Sequence, residues 1–207
     1  MEPWIGLLLW FAVFIGGSIA GGVCSSKNAK MAAGCTSAVF ILLSIAVFYF
    51  TDGFAYYGLK LDAFYTIISI LVAFLASLPL SVISNIIERK SSVQTEPFGF
   101  GDLNLTEFLF LFLLLAPLGE EFLFRGILET SLLVYGVPVA VILPALLFSL
   151  MHIVPLKNAP RKFSAIILIS AFILGLLAGY FRAVSGSLLP AYSVHAVFNL
   201  TGKFTNK

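Results

Sequence analysis

Apolar runs close to the length of a bilayer crossing recur along the whole chain, separated by short polar breaks. A hydrocarbon core of about 30 Å takes about 20 apolar residues of helix, and by that measure the sequence predicts spans near residues 4–23, 31–50 and 63–87. A polar, glycine-containing connector, ERKSSVQTEPFGFGDLN, follows at 88–104. Beyond it lie a long apolar stretch at 105–135, interrupted by Pro117 and Gly119, and predicted helices at 137–154, 163–181 and 187–200. The expected fold is all-α, a polytopic membrane bundle of about seven transmembrane helices forming a single integral membrane domain over 1–207. Residues 1–87 read as accessory N-terminal helices and 105–200 as a motif-bearing core. The chain carries no internal repeat, low-complexity tract or soluble domain.

Composition agrees with that solvent. Of the residues 60% are hydrophobic and 11% charged, and the mean hydropathy is +1.05, far from soluble averages. The twelve Lys and Arg are scattered, so a net charge of +2 builds no basic face and excludes nucleic acid as a partner. MEPWIGLLLW lacks the basic segment of a secretory signal and reads as a retained first helix. Cys24 and Cys35 flank one short loop without metal-ligand spacing and read as buried or lipid-facing thiols, with palmitoylation the alternative.

Charge placement orients the bundle. With the N-terminus outside, the inner segments carry Lys27, Lys30, Arg89, Lys90, Lys157, Arg161, Lys162, Lys203 and Lys207, and the outer loops only Lys60 and Arg182. Positive charge gathers on the cytoplasmic side. The C-terminus is therefore expected in the cytoplasm.

Gly136 breaks the chain at VYGVP, and Pro138 suits the first turn of the next helix. Sixteen residues before Gly136 stands Glu120, and sixteen after it His152. At 1.5 Å per residue both lie roughly 24 Å from the turn, at one depth near the cytoplasmic edge. His195 and Asn199, one turn apart on a third helix, descend roughly 12 to 21 Å from the other direction. The 105–135 stretch, roughly 46 Å of helix against a 30 Å core, is expected to tilt, to lie partly in the cytoplasmic interface, or to form a separate short helix ending at Pro117, with Glu120 then in the first turn of a new one.

Ionisable residues inside a span cost about 2.5 to 3.5 kcal/mol each on insertion scales and are functional candidates by default. Glu121 and Arg125 are four apart and read as an ion pair. Glu120 points about 100° away from Glu121 and needs a partner on another helix, for which His152 is at the right depth. A carboxylate with an imidazole can take a proton from water. An imidazole and a carboxamide one turn apart can supply donors to an oxyanion.

Three segments carry a resemblance. GEEFLFRG resembles the EExxxR motif, FSLMH, Phe148 to His152, the FxxxH motif, and HAVFN, His195 to Asn199, the HxxxN motif of the CAAX-protease and bacteriocin-processing (Abi) family, which contains the type II CAAX prenyl endopeptidases. The resemblance implies an intramembrane glutamate protease that needs no metal or other cofactor, acting on a membrane-associated peptide or lipidated protein. Glu120 and His152 would activate water, and His195 and Asn199 would hold the oxyanion. Glu121, Arg125 and Phe148 would shape the site or contact substrate. The chain stops seven residues after Leu200, without the further helix some members carry. Two rival readings are a zinc-dependent membrane protease, for which the sequence offers no HExxH, and a non-catalytic immunity or scaffold protein that binds a peptide. A transporter would call for inverted repeats.

Overall fold

The computed structural model describes residues 2–26, 28–90 and 103–205. Most of the 88–104 connector, and Lys27 and Lys207 of the charge tally, lie outside the described residues. The described residues are helical with short turns, and no strand occurs among them.

Three long helices come first: α1 (Pro3–Ser25), α2 (Ala29–Phe50) and α3 (Ala63–Lys90). Local chemistry sets their starts. The Asn28 side chain accepts from Met31 N at 2.8 Å, and Asp62 from Tyr65 N at 3.0 Å; each satisfies a backbone donor that a helix start leaves free. Next comes an uninterrupted helical run of α4 (Leu105–Phe108), a π-helical segment π1 (Leu109–Leu115), α5 (Ala116–Glu121), a second π segment π2 (Phe122–Glu129), and α6 (Thr130–Leu132). It closes in a 3-10 turn at Leu133–Tyr135 and then at Gly136, whose φ of +92° a side chain would resist. The hairpin partner α7 (Val137–Met151), then α8 (Arg161–Ser185) and α9 (Leu188–Thr205) complete the bundle.

The expected break at Pro117 does not occur. Residues 115 and 116 keep right-handed helical angles, so Glu120 lies inside a continuous helix instead of at a fresh N-terminus. The physical reason is π1. Its wide turns accommodate a residue that cannot donate, a local adjustment that membrane helices use around proline.

Among the described residues, α1, α2, α3 and α8 are long and apolar enough to cross a membrane, and α7 is a shorter apolar helix. Their outward residues are large and apolar, among them Leu8, Ile19, Leu71 and Leu75, which suits lipid. α1 packs on α2, α7 on α8, and α3 on α9 and α8, while α2 runs along α5 and π2. Cys24 and Cys35 form a disulfide across the α1–α2 turn, where the sequence suggested free thiols.

Every residue of π2 is buried, so the central strut of the bundle is enclosed on all sides. That makes its polar side chains, Arg125 and Glu129, the ones with least access to lipid or water. Small residues permit the enclosure: a Cβ on Gly119 would stand 2.9 Å from Ser37 O, and one on Gly175 would stand 2.8 Å from Ala145 Cα.

Candidate active site

The site is built where α5 and π2 meet α9, with α7 and α8 behind. Glu121 is fully buried, and its carboxylate is shared. Oε2 lies 3.3 Å from Arg125 Nε, Oε1 lies 3.3 Å from Arg125 NH1, and Oε1 also accepts from His195 Nδ1 at 2.8 Å. The four-residue spacing brings the Arg125 partner alongside, as expected. Arg125 is held further by its NH2, which donates to Gly175 O at 3.0 Å, and by its guanidinium carbon 4.9 Å from the Phe148 ring centre.

His195 bridges the adjacent glutamates. Its Nδ1 faces Glu121, and its Nε2 lies 3.7 Å from Glu120 Oε2. That oxygen is buried and makes no hydrogen bond within the described residues. Sequence reasoning paired Glu120 with His152 by depth; the structure also sets His195 beside Glu120, a neighbour that depth alone did not reveal. The reason is azimuth: counting residues measures height along a helix and leaves rotation about its axis open.

His152 stands at the C-cap of α7. Its Nδ1 lies 2.8 Å from Phe148 O, and since a carbonyl can only accept, Nδ1 carries the hydrogen and Nε2 remains a proton acceptor in the neutral ring. The Phe148 ring is the common wall, 4.9 Å from the His152 ring and 5.4 Å, edge-on, from that of His195. Asn199 sits one turn beyond His195, and its Nδ2 donates to Phe112 O at 2.8 Å. A carboxamide has two such hydrogens, so one remains for another acceptor.

A second buried polar group continues away from the site and went unnoticed in the sequence. Glu129, four residues beyond Arg125, is fully buried and feels the charges of both Arg125 and Arg182. Arg182 was assigned to an outer loop; it is only 4% exposed, and its NH2 donates to Thr130 Oγ1 at 3.0 Å. The repeat of Glu121, Arg125 and Glu129 at four-residue spacing was the available signal. An apolar-walled cavity of about 440 Å³ lies beside Glu121, bounded by Leu114, Leu118, Lys60, Leu188 and Tyr192.

Among the described residues, no set of three or more His, Cys, Asp or Glu side chains is arranged to hold a metal ion. Chemically, the arrangement offers a buried carboxylate oxygen facing an imidazole whose far side is anchored to a second carboxylate. The second carboxylate orients the imidazole, and the first keeps an oxygen available to a water or a substrate group.

No curated protein and no solved structure matches the chain. Residues 102–201 match the family described as Type II CAAX prenyl endopeptidase Rce1-like, a stretch that holds every polar residue named above from Glu120 to Asn199. Buried acid, imidazole and amide groups from several helices thus lie within the stretch that matches the Rce1-like type II CAAX prenyl endopeptidase family.

Proposed function

We propose that the protein is an intramembrane endopeptidase of the glutamate type, hydrolysing a peptide bond in a membrane-associated, prenylated CAAX-like substrate. The observation that carries this reading is His195 placed between the Glu120 and Glu121 carboxylates, at 3.7 and 2.8 Å. The site faces the cytoplasmic side, where the positive charges of the chain gather.

Geometry sets the roles. Arg125 pairs with Glu121, and His195 stands between Glu121 and Glu120. In the proposed reaction His195 presents its Nε2–H as a donor. The second Asn199 N–H joins it, and together they meet the oxygen of the substrate carbonyl as it gains charge. Glu120 takes a proton from water while His152 Nε2 orients that water, and the hydroxyl oxygen bonds to the carbonyl carbon. When the tetrahedral centre collapses, the C–N bond breaks and the proton on Glu120 passes to the leaving nitrogen. Glu120 returns to carboxylate, and atoms and protons balance.

The test is turnover of a farnesylated CAAX peptide and its unprenylated counterpart by the full chain in detergent, alongside Glu120→Ala and His152→Ala. Turnover of the farnesylated peptide that each substitution removes, with folding retained, supports the reading. Turnover that survives Glu120→Ala overturns it. A binding protein without hydrolytic activity would retain peptide and release no product.

A further inference from the structure

Pro117 interrupts the hydrogen-bond ladder where π1 hands over to α5. The Ala116 N–H bonds Leu111 O, five residues back, but the next residue has no N–H to offer. Phe112 O, five back from Pro117, and Leu113 O, four back, therefore receive nothing from it. A carbonyl in an apolar medium takes a donor from another helix where a proline offers none.

Both donors come from one helix. Tyr192 OH donates to Leu113 O at 2.6 Å, and Asn199 Nδ2 donates to Phe112 O at 2.8 Å. Tyr192, His195 and Asn199 are spaced by three and four and so share a face of α9. His195 is thus flanked on both sides by anchors to the same two peptide groups, and its own side chain is the one that meets Glu121.

We propose that Tyr192 is a positioning residue for the hydrolysis put forward above. With Asn199 it locks α9 onto the carbonyls that Pro117 releases, and this lock sets the height and rotation at which His195 meets Glu120 and Glu121. The proposal rests on the protease reading only for its catalytic consequence. Tyr192 touches no reacting atom; its hydroxyl acts through the backbone of π1. Its ring lines the cavity beside Glu121, so Tyr192→Phe keeps that wall and removes only the donor.

Three measurements on the full chain test it. Tyr192→Phe is expected to lower kcat for the farnesylated peptide about 10- to 100-fold, with KM changed less than about twofold, since misplacement of a catalytic group acts on the chemical step. The same variant, labelled with 15N at its histidines, is expected to show moved His195 imidazole resonances, assigned by comparison with His152→Gln. Pro117→Ala restores an N–H to the ladder, so in that background Tyr192→Phe is expected to lower the melting temperature by less than about half its effect in the parent, because residues that share a partner are coupled. Unmoved His195 resonances, or an equal loss of melting temperature in both backgrounds, overturn the proposal. A parent protein with no turnover overturns the protease reading instead, and the resonances and melting temperatures still decide the role of Tyr192.

Discussion

His195 and Glu121 meet at 2.8 Å across 74 residues of sequence, imidazole Nδ1 to carboxylate Oε1. The contact ties α9 to the buried central helix and fixes which imidazole nitrogen faces Glu120. Because Glu121 also holds Arg125, one carboxylate sets the orientation of both an imidazole and a guanidinium.

Glu121→Gln is expected to impair stability and activity together. It leaves Arg125 without its carboxylate, and breaking a buried pair costs about 3 to 5 kcal/mol. It also replaces the carboxylate that holds His195 Nδ1, with an expected fall in kcat of about 10²- to 10³-fold, the scale seen when one preorganised donor is lost. Thermal unfolding in detergent and turnover of the farnesylated peptide check both.

Gly175→Ala is expected to separate α7 from α8. The new methyl would lie 2.8 Å from Ala145 Cα and 2.9 Å from its Cβ, and backbone cannot yield as a side-chain tip can. Overpacking of this kind costs about 1 to 3 kcal/mol. Since Gly175 O also receives Arg125 NH2, activity should fall with stability. A melting temperature equal to the parent's would count against the close packing described.

The Lys30–Glu107 pair makes stability depend on acid pH. Its separation is 2.8 Å, and the hydrogen bond from Lys30, with a second from the Asn104 backbone, holds the Glu107 carboxyl below its ordinary value of 4.5. A carboxyl depressed in the folded state contributes stability above its unfolded value, and that contribution is lost as pH falls through the lowered one. Lys30→Ala is therefore expected to lower stability at neutral pH and to flatten its decline below about pH 4.5. Unfolding midpoints from pH 7 down to 3, compared between the two proteins, check the sign.

The Cys24–Cys35 bridge closes a short loop, and reducing it is expected to cost about 3 kcal/mol on a chain-entropy estimate. It lies at the end that carries Lys30, and the distribution of positive charge predicts that this end is cytoplasmic, in a compartment that keeps thiols reduced. In cells the pair is accordingly expected as thiols, labelled by an impermeant maleimide from inverted vesicles and spared in intact cells. Labelling of reduced intact cells from outside would reverse the orientation of the bundle.

Several of these relationships were visible in the residues alone. Apolar runs predicted where the long helices lie, because lipid demands length and internal hydrogen bonding before any packing is decided. Gly136 marked the turn, since its left-handed backbone suits glycine, and the Glu121–Arg125 spacing marked their pairing, since four residues bring two side chains together on any helix. What followed from rotation about a helix axis was not legible. Glu120 faces His195, Arg182 turns inward, and the helix continues through Pro117 because π1 accommodates it and α9 supplies the missing donors. Local chemistry thus determined the elements and their lengths, while the partners of the buried charges were decided only when separate helices packed, because azimuth and register are properties of the whole bundle.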